Sequence, residues 1–145
     1  MADALHSPLL PPLRDLRAEL AALAATSAVL VLLVSRMDCP YCLEVRRNYL
    51  APLLREGDPR LALRELESDT VDQLIDAAGQ QQPIAEVLRQ LHVSFFPTVL
   101  FLGSGGRTLA APLPGLDQAG FYGAYLEGRL QQAQAAALAS PKETI

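Results

Sequence analysis

Val29-Leu30-Val31-Leu32-Leu33-Val34-Ser35-Arg36-Met37-Asp38-Cys39-Pro40-Tyr41-Cys42 carries the organisation of this chain. Its first six residues form an unbroken run of valine and leucine of strand length, the pattern of a central strand covered on both faces. Its last four open a helix, because Pro40 falls in a first-turn position where its missing N–H costs nothing. The helical pattern continues through Leu43 to Leu50, and Pro52 is expected to end or kink it. The order is therefore strand, short turn, then two cysteines at a helix start.

These are the only two cysteines in the chain. A pair three residues apart is not a disulfide framework, and a structural zinc site needs four ligands, whereas His6 and His92 lie far away with no paired spacing. At a helix start, Cys39 sits near unpaired N–H groups and the positive end of the helix dipole, which favour its thiolate. Cys42, one turn later on the same side, is close enough to attack a mixed disulfide but is expected to be more buried and less ionised. Cys39 is thus the candidate nucleophile and Cys42 the candidate resolving thiol. Pro40 and Tyr41 set the turn and contribute to its exposed rim, and Tyr41 is the candidate partner contact. Two inert buried thiols, or soft ligands for Cu(I) or an iron–sulfur cluster, are the alternatives.

Outward from the motif, helical and strand-like periods alternate, an α/β pattern. Leu13 to Ala25 reads as an amphipathic helix, Leu61 to Leu66 as a strand, and Pro83 to Leu91 as a helix with proline near its start. Ser94 to Leu102 and Arg107 to Leu113 read as two strands joined by the turn Gly103-Ser104-Gly105-Gly106, which lacks the lysine of a phosphate loop. Asp117 to Ala139 reads as a terminal helix with Asp117 as N-cap and Phe121, Ala124, Tyr125 and Gly128 on one face. Pro97 interrupts a β-rich run. It is either an ordinary trans-proline opening a strand or a cis-proline that bends the chain and leaves the backbone of Phe96 available to an extended substrate segment.

Half of the 145 residues are hydrophobic, enough for one domain spanning 1–145, with about 1–12 and 139–145 as candidate flexible ends. A net charge of −4 without a basic run leaves no footprint for nucleic acid or an anionic membrane surface. Leu20 to Val34, the most apolar stretch, is interrupted by Thr26 and Ser27 and is shorter than the roughly 20 residues of a membrane span. Met1 to Glu19 interleaves charges with leucines and prolines, so no secretory leader is expected and the compartment stays open.

Strand, Cys-Pro-Tyr-Cys helix, strand, helix, Phe96-Pro97-Thr98 strand, hairpin and terminal helix together resemble the thioredoxin superfamily over nearly the whole chain. Ser35 to Cys42, Phe96-Pro97-Thr98 and Phe121-Tyr122-Gly123-Ala124-Tyr125-Leu126 are similar to bacterial thioredoxin-related proteins of the SoxW kind. The resemblance implies an α/β thioredoxin fold, a central mixed β-sheet flanked by helices, with an insertion between the active-site helix and the cis-proline strand. It implies a protein-disulfide oxidoreductase working in cell redox homeostasis, with Cys39 attacking, Cys42 resolving and Pro97 as the cis-proline. Pro40, Tyr41, Phe96 and Pro97 are then the substrate-binding residues. No metal or organic cofactor is implied beyond the Cys39–Cys42 disulfide. The implied partners are protein thiols or disulfides and a redox donor or acceptor protein or glutathione, and a monomer is expected. The compartment is the periplasm if this is a mature form, otherwise the cytoplasm.

Departures from the family pattern are specific. Leu33 occupies the position of the buried aspartate of thioredoxins proper, so Glu44 or water is expected to take the proton of the resolving thiol. Glutaredoxins share Cys-Pro-Tyr-Cys, but their Gly-Gly turn is matched only in part by Pro114-Gly115-Leu116-Asp117, which keeps a glutathione-linked enzyme as the rival within the same chemistry. Glu67 to Gln82 is the extra material, either shaping partner choice or elaborating the solvent-facing surface. His92 is expected at the surface or as a cap, and Arg36, Arg46 and Arg47, which flank the motif, are expected to be solvated.

Overall fold

The computed structural model describes residues 9–117 and 119–139. Four strands form one mixed sheet in the order β2-β1-β5-β6: β1 (Val29–Ser35), β2 (Leu61–Glu67), β5 (Thr98–Leu102) and β6 (Thr108–Pro114). β2 lies parallel to β1, while β5 runs antiparallel to β1 and β6 antiparallel to β5. Every residue of β1 is buried, and the pleat explains why the strand shows no polar alternation. Val29, Val31 and Leu33 enter one core with Val45, Leu50 and Phe101, whereas Leu30, Leu32 and Val34 enter a second core with Leu16, Leu20 and Val87.

The first core lies under the helix that carries the cysteines and under the terminal helix. The cysteine helix is α2 (Pro40–Val45), which passes through a π turn at Arg46–Leu50 into α3 (Ala51–Glu56). Of the two outcomes expected at Pro52, the run does not end there; its regular α-helical pairing is interrupted by the π turn just ahead of the proline. The wide turn, in which the Ala51 N–H donates to the carbonyl of Arg46, re-registers the backbone just ahead of the proline ring. Termination comes at Gly57, whose φ of 71° is the left-handed conformation suited to glycine.

The second core is closed by α1 (Leu16–Leu23) and α4 (Ile84–Gln90). α1 starts three residues later than its periodicity predicts, because Asp15 caps it, accepting from Ala18 N–H at 2.9 Å. The preceding residues run extended beside β2, with Leu13 N–H donating to Glu65 and Glu65 N–H to Pro11. Of the N-terminal end expected to be flexible, residues 9–12 are held against the fold, with Leu10 buried, while 1–8, and 140–145 at the other end, lie outside the described residues.

Most of Glu67 to Gln82 faces solvent, but a few of its residues tie it into the fold. It contains a small hairpin, β3 (Gln73–Ile75) and β4 (Gln81–Pro83), whose Leu74 enters the second core. Its turn is built around Asp76, 2 % exposed, whose carboxylate accepts from Gln80 N–H (2.9 Å), Ala78 N–H (3.0 Å) and Gln90 Nε2 (3.3 Å). These bonds, the Gln80 N–H foremost, hold the Asp76 carboxyl below its ordinary range against the opposing effect of burial. A depressed folded-state value means that its contribution is complete above about pH 4 and fades as pH falls through the native value. Asp76→Asn is expected to lower the melting temperature at neutral pH, with a smaller difference at pH 3. An equal difference at both pH values in thermal melts would remove the carboxylate from this role.

The terminal helix, α5 (Tyr122–Leu138), begins five residues after Asp117. Asp117 holds the turn ahead of the helix, accepting from Phe121 N–H at 2.8 Å and Ala119 N–H at 3.2 Å, so its expected N-cap role is corrected to that of a turn former. The face bearing Phe121 and Tyr125 points outward, and Tyr122, Leu126, Ala133 and Ala137 form the buried stripe. Among the described residues no helix is long and apolar enough to cross a membrane.

Candidate active site

The strand run of β1 ends at Ser35, and three residues later Asp38 adopts φ 52°, a left-handed turn position that aspartate tolerates. The loop between is pinned from the insertion, because Asp69 accepts from Met37 N–H at 2.9 Å and Ser35 C=O accepts from Ser68 N–H at 2.7 Å. Cys39 is the N-cap of α2, in extended conformation, and Pro40 occupies the first turn as the sequence predicts. The Cys39 sulfur accepts from Cys42 N–H at 3.2 Å, the bond of a capping side chain. Cys39 and Cys42 are joined as a disulfide with Cα atoms 5.2 Å apart. Cys42 is fully buried and Cys39 is partly exposed. By that asymmetry Cys39 is the member of the pair accessible to an incoming thiolate among the described residues.

Tyr41 stands on the rim, 45 % exposed. On the other flank, the Phe96–Pro97 peptide bond is cis. The antiparallel pair Val34–Thr98 puts Pro97 one step beyond β5, at the end of β1 from which the cysteine loop departs. The segment is tied down at both ends. Thr98 Oγ1 donates to Phe95 C=O at 2.6 Å, and Gly115 N–H donates to Pro97 C=O at 2.7 Å. The structure thus collects all six sequence-predicted residues at one end of the sheet.

Two grooves flank the disulfide. The larger, about 840 Å³, is lined by Cys39, Pro40, Met37 and Leu43 together with Arg46, Glu65 and Glu67. The smaller, about 480 Å³, is lined by Tyr41, Phe95, Phe96, Gly115, Asp117, Tyr122 and Tyr125. Met37, Tyr41, Leu43, Phe95 and Tyr125 are large apolar side chains that line these grooves and are left exposed, with Phe121 against Tyr125, a concentration that marks an interaction surface. Tyr122 is 1 % exposed, and its hydroxyl has no hydrogen-bond partner among the described residues. Burial, with a smaller contribution from Tyr49, pushes its ionisation upward, so it stays a neutral phenol.

Sequence reasoning missed the charged cluster in the larger groove. Arg46 is not solvated as expected. Its guanidinium forks onto Glu65, with Nε 2.8 Å from Oε1 and Nη2 2.6 Å from Oε2, and lies 3.7 Å from Glu67. Ser35 Oγ, fully buried, donates to Glu65 at 2.5 Å. Burial by itself disfavours the Arg46 charge, but the hydrogen bonds and charge of Glu65 and the charge of Glu67 outweigh it and hold the guanidinium above its ordinary value. A signal was present in the alternating acids of Leu61-Ala62-Leu63-Arg64-Glu65-Leu66-Glu67, which point to the same face as Leu63. Glu44, the expected proton acceptor, is exposed, two residues past Cys42 on a helix and so turned away from it. Arg36 and Arg47 are exposed as expected, and His92 is exposed, its N–H closing the end of α4 on Arg89. Among the described residues no group of three or more histidine, cysteine or acidic side chains is arranged to hold a metal ion.

No family model and no curated protein matches the sequence. Solved structures do. Thioredoxin pre-protein from Schistosoma mansoni is 14 % identical with a TM-score of 0.57, covering 85 % of this chain and 96 % of that one. Mitochondrial thioredoxin 3 from Saccharomyces cerevisiae is 16 % identical with a TM-score of 0.54 over 82 % and 94 % of the two chains. Thioredoxin O2 from Arabidopsis thaliana is 18 % identical with a TM-score of 0.54 over 83 % and 91 %. With its mixed sheet, its flanking helices and its Cys-x-x-Cys pair opening α2, the chain has the thioredoxin fold.

Proposed function

We propose that this protein is a thiol–disulfide oxidoreductase that exchanges disulfides with protein substrates through Cys39 and Cys42. The observation that carries the reading is the asymmetric pair: a partly exposed Cys39 capping a helix, bonded to a fully buried Cys42 one turn on. In the reducing direction the Cys39 thiolate attacks a substrate disulfide, one substrate sulfur leaves as a thiolate, and Cys39 becomes part of a mixed disulfide. Cys42, having lost its proton, then attacks the Cys39 sulfur. The Cys39–substrate bond breaks, the Cys39–Cys42 bond forms, and the second substrate sulfur leaves. The protein pair has given up two electrons and the substrate has gained them.

The surroundings support a polypeptide substrate. Among the described residues the backbone N–H and C=O of Phe96 make no hydrogen bond, so an extended segment can pair there as an added strand, and Tyr41, Phe95 and Tyr125 offer apolar contact beside it. A glutathione-linked reaction is the second reading, favoured by the smaller groove, which brings Tyr41, Phe96, Gly115 and Asp117 together. The resemblance to proteins of the SoxW kind favours a periplasmic site of action with a membrane donor of electrons.

The deciding experiment is the redox potential of the Cys39–Cys42 pair against glutathione, with insulin reduction and a Cys39→Ser control. Potentials in such pairs run from roughly −270 to −120 mV. A value toward the reducing end with Cys39-dependent insulin reduction makes it a reductase, and one toward the oxidising end makes it a disulfide donor. Turnover with glutathione alone selects the second reading. The absence of any reversible couple would overturn the enzyme reading.

A further inference from the structure

The resolving step requires Cys42 to lose a proton, yet Cys42 is fully buried and Glu44 is turned away from it. The charged side chain that shares the helix face of Cys42 is that of Arg46, four residues on, whose backbone N–H donates to Cys42 C=O. Arg46 is locked onto Glu65, which projects from β2 and is steadied from β1 by Ser35. β2 contributes Glu65 because the parallel register sets it beside Leu33, on the face of the sheet that α2 covers.

We propose that the Arg46–Glu65 ion pair sets the protonation of the Cys42 thiol in the reduced protein, its two halves acting with opposite sign. The guanidinium favours the Cys42 thiolate and the carboxylate opposes it, so the pair holds the thiol near balance. Both groups are mostly withdrawn from solvent, at 15 % and 10 % side-chain exposure, and are therefore screened less than surface charges. They act as positioning residues, since neither is placed in contact with the reacting sulfurs.

The other charges around Cys42 are accounted for. On its own helix Glu44 and Arg47 are exposed. In the loop before it Arg36 and Asp38 are exposed at the groove mouth, and Asp69 is engaged with Met37 N–H. From β2, Glu67 lies 3.7 Å from Arg46 and adds to the carboxylate side of the balance. Across the sheet end, Asp117 is engaged in its turn and Arg129 Nε donates to Ala111 C=O. The rings of Tyr49 and Tyr122 meet at a tilt, 4.8 Å apart, in the first core, and burial keeps Tyr122 a neutral phenol.

The inference rests on the disulfide-exchange reading, but its test does not require a substrate. In a Cys39→Ser background Cys42 is the sole cysteine, and its thiolate is titrated by ultraviolet absorbance. Glu65→Gln is expected to move the midpoint down by about one pH unit and Arg46→Met up by about one unit, the scale of a unit charge one helical turn away. Arg46→Lys is expected to restore most of the wild-type midpoint. Shifts of the same sign in both variants, or none in either, overturn the proposal. A fold defect moves melting curves without this sign reversal. If Arg46→Met fails to fold, Glu65→Gln alone decides, a downward midpoint supporting the pair's role and an unchanged or raised one overturning it. Loss of the exchange reading shows itself separately, as the absence of a reversible couple in the two-cysteine protein.

Discussion

Replacing Cys39 by serine is expected to abolish disulfide exchange, lowering its rate by roughly three orders of magnitude or more, because a serine hydroxyl is not ionised at neutral pH and cannot carry the covalent intermediate. Replacing Cys42 by serine has a different signature. The exposed Cys39 still attacks, but nothing resolves the adduct, so a mixed disulfide with substrate accumulates. The two roles follow from position. Cys39 caps α2, partly exposed and lining the larger groove beside the N–H groups of the first turn, while Cys42 is fully buried. Insulin reduction measures the first effect, and a non-reducing gel with mass spectrometry of the trapped species measures the second. If Cys42→Ser were the inactive variant and Cys39→Ser the one that trapped substrate, the assignment of nucleophile and resolving thiol would be reversed.

What the sequence made legible follows the range of the interactions concerned. β1 and the start of α2 were readable because a run of six apolar β-formers, a proline and two cysteines impose their structure locally. The hairpin of β5 and β6 was readable for the same reason, since its glycines sit at the turn itself, with Gly105 and Gly106 both at positive φ. The start of α5 was misplaced because Asp117 serves a turn as readily as a cap, and only the packing of Tyr122 against Tyr49 fixes which register the helix adopts. The π turn ahead of Pro52 was not readable, since it leaves no period of its own in so short a stretch. Asp76 carries no local signal in the sequence, because its role depends on Gln80, Ala78 and Gln90 converging on it.

The site divides along the same line. The six residues of the motif and of the cis-proline segment were named from local pattern. The Arg46–Glu65–Ser35 cluster was not, because it depends on three elements meeting: α2, β2 and the end of β1. An arginine on a helix and a glutamate in a strand are each solvated by default, and the pairing of Leu33 with Glu65 across two strands brings them together in the groove that Cys39 lines. The proton acceptor expected at Glu44 failed for the converse reason. Closeness in sequence to Cys42 is not closeness in space when the two residues are two apart on a helix.

The second large effect concerns the core beneath the site and separates two phenylalanines of opposite fate. Phe101 is fully buried in the middle of β5, paired with Val31 on one side and Ala110 on the other, where the first core meets the central strand. Phe101→Ala is expected to cost about 3–5 kcal/mol, the sum of lost transfer energy and the cavity left behind. A domain of this size is stable by only about 5–15 kcal/mol, so the variant is expected to melt many degrees lower. Phe95 is 59 % exposed and packs on Gly115 at the mouth of the smaller groove. Its replacement by alanine is expected to change stability by no more than about 0.5 kcal/mol while lowering kcat/KM for a protein disulfide. Chemical denaturation of the two variants alongside an insulin assay checks both halves. Equal destabilisation would mean that Phe95 is a core residue in solution, and an unchanged kcat/KM for Phe95→Ala would remove the smaller groove from substrate contact and leave the larger one, open to Cys39, as the docking face.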